Sequence, residues 1–311
     1  MKKVIITGVG GFIGKSICLR LLRSNVTVIG IDVDDSRVKD LFEFSNFSFK
    51  QASFSEYDQL EKIIKDRDVD VLYHFALKGG LLANAINDVD MQLENAKYTV
   101  MILKKAIEMS VKKFVFIGTA NQFEVQQIAY NEDVIPRNTC IYAASKLASE
   151  MMCKVIANQH EIIICSALCA MVYGEGNYSM QLPNVVMKQI IEGAEPRLID
   201  GNSQYDMVYI HNLTKALSLI GEQGENNTSY YIGSHSNDLL TFKELWTEIR
   251  NIINPDIKLG FGEFKDSFSM DYSKINCNKL YEELGYRPEY SLQESVNNSV
   301  EWIKNNLMED K

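Results

Sequence analysis

Residues Thr7–Ser16 read TGVGGFIGKS and follow directly on the apolar run Val4–Ile6. Ile13, Ile17 and Leu21 then recur at the spacing of one helix face. The segment predicts a strand, a glycine-rich turn and a helix in immediate succession. A literal G-x-G-x-x-G count from Gly8 and Gly10 fails at Ile13, and the spacing that holds is Gly8, Gly11, Gly14. Glycine at such positions permits a tight turn, close backbone approach to a pyrophosphate and close packing of helix on strand. The start of the helix adds free N–H groups and the positive end of the helix dipole, both suited to phosphate.

The next apolar run, VTVIGID (26–32), ends on Asp32, eighteen residues after Gly14. A carboxylate there accepts hydrogen bonds from the ribose hydroxyls of an adenosine and repels a 2′-phosphate. The cofactor expected is NAD rather than NADP. Arg37 argues the other way, since an arginine neutralises such a phosphate.

The rest of the chain extends the same pattern. KKVIITG, VTVIGID, VDVLYHFA, KKFVFIGT and EIIICSA are short, continuous and rich in Val and Ile, as strands buried on both faces are. Helical patterns lie between them, including YDQLEKIIKD, Asp90–Ser110 and Ala143–His160. This alternation predicts an α/β fold, a Rossmann-type doubly wound parallel sheet. After Gly174 the rhythm loosens. QLPNVVMKQIIEG, FKELWTEIRNIIN and LQESVNNSVEWIKNNL read as helices, with PRLID and SYYIG as strands. The expected domains are a dinucleotide-binding domain over 1–170 and a smaller C-terminal α/β substrate lobe over 171–311, with segments able to return to the sheet.

Hydrophobic residues make up 46% of the 311, enough to bury a large core. With 32 basic against 41 acidic residues and no dense basic block, a nucleic-acid groove is not expected. No apolar run approaches the ~18 residues of a membrane span, and MKKVIITG is too short for a signal peptide. The six cysteines (18, 140, 153, 165, 169 and 277) lack C-x-x-C spacing. Neither a metal site nor a disulfide framework is expected, and a cytoplasmic location fits. Met151, Met152, Phe261, Phe264 and Phe268 are read as packing rather than pocket lining, and His74 as a strand-end residue without an acid–base role.

Tyr142-Ala-Ala-Ser-Lys146 places a phenol and an ammonium one helical turn apart on one face. A free phenol, with a pKa of about 10, is a poor base at neutral pH, and a neighbouring cation lowers that value. The pair suits proton transfer to or from an alcohol. With the glycine turn and Asp32 upstream, the chain resembles the extended short-chain dehydrogenase/reductase family, in its nucleotide-sugar epimerase/dehydratase group, nearly end to end. TGVGGFIG looks like that family's TGxxGxxG, and His74-Phe75-Ala76 like its cofactor-lining strand-four motif. Asn95 with Thr99 fits its N-x-x-x-T helix, Gly118-Thr119 its strand-five hydroxyl motif, Val172-Tyr173-Gly174 its V-Y-G-P, and Leu284–Pro288 its L-G-[WY]-x-P.

The resemblance implies that Tyr142 is the acid–base residue, that Lys146 lowers its pKa and holds the nicotinamide ribose, and that Thr119 steadies the substrate oxygen. It implies cofactor contacts from Gly8, Gly11, Phe12, Ile13, Gly14, Asp32, Phe75, Ala76, Lys78, Asn95 and Lys146. It also implies a homodimer built from helices Asp90–Ser110 and Ala143–His160. Three departures shape the functional expectation. Ala120-Asn121 replaces the Asp-Glu pair of dehydratases, Leu168 and Met171 replace R-x-x-N, and Tyr205 replaces a diphosphate-gripping arginine. A second expected arginine is also missing, with Lys265 the nearest basic residue. The leading expectation is an NAD-dependent epimerase of a nucleotide sugar. A reductase or dehydrogenase of a 4-keto sugar nucleotide or smaller alcohol, and a dinucleotide-sensing binding protein, are the alternatives.

Overall fold

The computed structural model describes residues 1–80, 83–131, 140–265 and 270–308. Strands β1 (Lys3–Thr7), β2 (Thr27–Asp32), β3 (Phe47–Gln51), β4 (Val71–His74), β5 (Lys113–Thr119), β6 (Ile163–Cys169) and β7 (Thr228–Ile232) form a seven-stranded parallel sheet. Its order is β7-β6-β5-β4-β1-β2-β3. β1 lies centrally, with Val4 opposite Val28 of β2 on one side and Val71 of β4 on the other. Winding reverses between β1 and β4. In open α/β sheets, the crevice beyond the strand ends at such a switch point is where ligands bind.

The five apolar runs form β1, β2, β4, β5 and β6. β4 is buried along its whole length, and β5 is buried from Lys113 to Gly118. No apolar run marks β3. It is the edge strand, and its FSFKQ mixes polar with apolar residues because only part of it is covered.

Four helices matter to the site: α1 (Phe12–Arg23), α2 (Val89–Glu108), α3 (Asn121–Ala129) and α4 (Cys140–His160). Asp88 caps α2 by accepting a hydrogen bond from the Met91 N–H at 2.9 Å. Ile102, Leu103 and Ala106 of α2 and Cys153 and Ala157 of α4 join Ile5, Leu72, Phe114 and Phe116 of the sheet in one core cluster. Full burial of each Leu, Ile or Phe contributes about 1.5–3 kcal/mol. Lys113, buried in β5, donates to the Ile220 and Gly224 carbonyls at 3.2 and 2.9 Å, where helix Ile210–Gln223 ends.

YDQLEKIIKD departs from the helix expected. The chain makes a 3-10 turn over Phe54–Gln59 and a single α turn over Leu60–Ile63. Ser53 and Glu56 form a capping box that starts the turn early, and Ile64 reverts to extended backbone. Tyr57, Leu60 and Ile64 still face the core.

The chain divides into two compact units. Met1–Gln126, Asn138–Leu168 and Thr214–Tyr230 make the first; Gln127–Arg137, Cys169–Leu213 and Tyr231–Lys311 make the second. The second unit carries helices Leu182–Ile191, Phe242–Ile253 and Leu292–Asn306 and three two-stranded sheets. Thr241 with Glu244 and Ser291 with Glu294 begin its last two long helices as capping boxes. All six cysteines are buried free thiols. No helix among the described residues is long and apolar enough to cross a membrane.

α1 reaches the sheet only because Gly14 has no side chain. A Cβ there would stand 2.1 Å from the Gly8 carbonyl oxygen. Gly14→Ala is therefore expected to lower the unfolding free energy by about 1–3 kcal/mol, measured by urea titration. An unchanged midpoint would contradict this packing.

Candidate functional site

The glycine turn, in the first unit, is built by close backbone approaches. Gly8 has φ +72°, and a Cβ on it would meet the Ala76 backbone nitrogen at 2.6 Å. The Phe75 N–H donates to the Thr7 carbonyl at 3.0 Å, so the segment after β4 runs against the end of β1. Gly11 begins α1 without any side-chain cap, which leaves the first-turn N–H groups open to a ligand. Phe12 and Ile13 are the first two residues of that helix. A narrow turn capped by uncommitted amides fits a dinucleotide pyrophosphate.

Asp32 stands at the end of β2 beside this turn. Its Oδ2 accepts the Gly10 N–H at 2.8 Å and its Oδ1 accepts the Val33 N–H at 2.8 Å. The carboxylate is thereby fixed at the strand end beside the glycine turn. A Cβ on Gly10 would lie 3.4 Å from the Arg37 Cβ, so Arg37 borders the same corner. The Lys15 ammonium donates to the Arg37 carbonyl at 2.8 Å and pairs with Asp40 at 2.7 Å.

Beyond β4, Asn95 of α2 clamps Lys78. Its Oδ1 accepts the Lys78 N–H at 2.8 Å and its Nδ2 donates to the Lys78 carbonyl at 3.2 Å. Thr99 anchors the same turn of α2 by donating its hydroxyl to the Asn95 carbonyl. The Lys78 ammonium pairs with Glu94. Asn95 thus shapes the loop after β4 through the backbone of Lys78.

Tyr142 and Lys146 lie on the first two turns of α4. Lys146 is 9% exposed, and its Nζ donates to the Ile117 carbonyl at 3.0 Å and sits 5.4 Å from the centre of the Phe116 ring. The helix face carrying Tyr142 is in this way tied to the end of β5. Thr119, the last residue of β5, is half-buried, and its Oγ1 accepts the Asn121 N–H at 3.3 Å. The Ser145 hydroxyl bonds the Gln92 carbonyl at 2.6 Å and ties α4 to α2.

His74 is buried at the end of β4, with Nδ1 2.7 Å from the Thr7 hydroxyl. Burial first, and the Lys146 charge second, push its pKa down to about 3. The imidazole is neutral at physiological pH and links β4 to β1.

Sequence reasoning missed α3 and what it carries. Gln122 of α3, Glu150 and Lys154 of α4, and Ser229 of β7 form a polar chain, buried at Gln122 and Glu150 and half-buried at Lys154 and Ser229. One signal was legible: Glu150 follows Lys146 by four residues and so shares its helix face. In the second unit, Tyr205 stacks edge-on against Phe242, with ring centres 5.1 Å apart. It borders a cavity of about 280 Å³ lined by tyrosines, His235, Asp206, Asp238 and Glu248, with no Lys or Arg among its described lining residues. Met151 and Met152 are about half exposed on α4, and Phe264 lies 5.1 Å under the Arg197 guanidinium. Lys265 is exposed, and Phe268 lies outside the described residues.

A family model described as the NAD dependent epimerase/dehydratase family matches residues 4–233. The chain is similar to the UDP-glucuronate 4-epimerase of Thermodesulfobacterium geofontis, 25% identical, with 97% of this chain and 96% of that protein covered. It is 22% identical to the dTDP-glucose 4,6-dehydratase of Streptomyces niveus, covering 98% and 93%. Among solved structures, the UDP-glucuronic acid 4-epimerase of Bacillus cereus with UDP-glucuronic acid and NAD superposes with a TM-score of 0.77. That match is 23% identical and covers 97% of this chain and 99% of that one, a likeness of fold.

The depressed His74 pKa ties stability to pH. Its folded value of about 3 lies below the ordinary 6.5, so its contribution is complete above about 6.5 and is lost as pH falls toward 3. His74→Gln is expected to flatten the fall in unfolding free energy below pH 6.5 by up to about 1.4 kcal/mol per pH unit. Urea titrations at a series of pH values measure it, and parallel wild-type and variant curves would refute it.

Proposed function

Because the chain belongs to the NAD dependent epimerase/dehydratase family, we propose that it is an NAD-dependent enzyme that epimerises a nucleotide sugar through a transient keto intermediate. The observation that carries this reading is the tie between α4 and β5. Lys146, one turn after Tyr142, reaches the Ile117 carbonyl two residues before Thr119. A phenol, an ammonium and a hydroxyl are thus borne by two elements fixed to one another.

NAD held there would supply a hydride acceptor and donor for the carbinol carbon. Gly8, Gly11, Phe12, Ile13 and Gly14 would hold its pyrophosphate, Asp32 its adenosine ribose, and Phe75, Ala76, Lys78 and Asn95 the wall beyond β4. Tyr142 takes the substrate hydroxyl proton, and the Lys146 charge one turn away favours its phenolate. Thr119 orients the substrate oxygen through its hydroxyl. After the keto sugar has presented its other face, Tyr142 returns the proton. Ala120 and Asn121 supply no acid to expel a hydroxyl as water, which disfavours dehydration.

The second unit is assigned to recognition of the rest of the substrate. Its cavity beside Tyr205 has no Lys or Arg among the described lining residues to grip a diphosphate. Of the second reading, a reductase or dehydrogenase of a 4-keto sugar nucleotide or a smaller alcohol, that observation favours the smaller alcohol, which carries no diphosphate. Exposed Val89 and Leu93 of α2 and Met151, Met152 and Val155 of α4 support pairing of two copies into a homodimer.

Tyr142→Phe removes the transferable proton and keeps the ring. On the sugar nucleotide identified by a screen of UDP- and dTDP-sugars, it is expected to lower kcat by about 10²–10⁴-fold, with stability and NAD affinity unchanged. Lys146→Ala is expected to weaken both turnover and NAD binding, and Thr119→Ala to cost less than either. Near-full activity of Tyr142→Phe would sink the reading. Calorimetric titration is expected to give at least ~10-fold tighter binding of NAD than NADP, from Asp32. Equal affinities would make Arg37 the determining residue.

A further inference from the structure

We propose that Gln122 is a positioning residue. With Glu150 it holds Thr119 at a fixed place relative to the helix face that bears Tyr142 and Lys146. The proposal rests on the catalytic reading of those three residues given above.

Gln122 is completely buried on the first turn of α3, and its side chain turns back toward β5. Its Oε1 accepts the Thr119 N–H at 3.0 Å, and its Nε2 donates to Glu150 Oε2 at 2.5 Å. Glu150, 2% exposed, stands one turn after Lys146. Its second oxygen accepts the Ser229 hydroxyl at 2.8 Å and pairs with the Lys154 ammonium at 2.9 Å. The carboxamide and the carboxylate are both satisfied, and the buried charge is balanced. A buried carboxylate is tolerated only while such partners stay in place, so the chain resists stretching.

α4 therefore meets β5 at two backbone points. Lys146 reaches the Ile117 carbonyl directly, while Glu150 reaches the Thr119 N–H through Gln122. The first contact uses the ammonium that catalysis assigns to the phenolate and the ribose. The second does not involve that ammonium and persists when Lys146 turns to other work. β5 makes room for it with Gly118, where a Cβ would stand 2.3 Å from Gln122 Oε1 and 2.5 Å from Leu168 Cδ2.

A purely structural bridge and a positioning bridge differ in whether activity tracks stability. Gln122→Met leaves Glu150 buried with one partner fewer, whereas Gln122→Met with Glu150→Met removes the stranded carboxylate as well. Replacing both partners by apolar groups of similar shape recovers much of the stability. Positioning predicts that kcat falls roughly 10²-fold in both variants with little change in KM, even where the double variant regains its melting temperature. Glu150→Gln, which keeps the acceptor for Gln122, is expected to retain most of kcat. Amide exchange at Thr119, read by NMR on the whole protein, should accelerate in Gln122→Met without any substrate present. Unchanged Thr119 exchange, or a kcat that recovers together with stability, overturns the proposal. Full activity of Tyr142→Phe measured alongside overturns the catalytic reading instead.

Discussion

The contact on which the site depends is the approach of Gly8 to two neighbours at once. Its α-carbon lies against the Ala76 backbone after β4, and its carbonyl lies against Gly14 of α1. Neither approach leaves room for a Cβ, and the φ of +72° is one that L side chains rarely adopt. Three elements consequently converge on one peptide: the end of β1, the start of α1 and the exit of β4. Everything assigned to the dinucleotide is arranged around that convergence. The uncapped amides of α1 open over it, Asp32 is tethered to its edge through Gly10, and His74 ties β4 to β1 just below.

The polar groups near this crevice are managed by pairing and by neutralisation. His74 is kept neutral by burial, so it adds no positive charge beside Lys146. The Lys146 ammonium donates to the Ile117 carbonyl and lies near the Phe116 ring. Glu150 is locked by Gln122, Ser229 and Lys154. The Lys146 cation and the Glu150 anion sit one turn apart on the same helix. Through Gln122, the turn of α4 that bears Glu150 stays attached to the sheet.

Elements were legible in the sequence where periodicity is strong. Strands buried on both faces announce themselves as continuous apolar runs, which is why β1, β2, β4, β5 and β6 could be read. β3 could not, since an edge strand shows no such run. β7 appeared as SYYIG, but its return to the sheet is a matter of long-range topology. YDQLEKIIKD carried a helical pattern that its early capping box cut short. Glycine spacing, Asp32 and the Tyr142–Lys146 pair were legible because turn geometry and helical repeat fix their separations. Gln122 was invisible: a single carboxamide after a strand has no period, and Glu150, its side-chain partner, lies far along the chain. Tyr205 was legible only as a departure, and its stacking on Phe242 explains how the position is filled rather than what it binds.

In the epimerisation proposed, hydrogen leaves and re-enters the same sugar carbon without exchange with solvent. The most direct measurement uses a UDP- or dTDP-sugar carrying deuterium at the carbon that inverts. Product is followed by NMR and NADH absorbance is recorded together with it. Epimerisation by this route yields an epimer that keeps its deuterium, with no net accumulation of NADH. Deuterium washed out to water, or NADH formed in proportion to product, would contradict it.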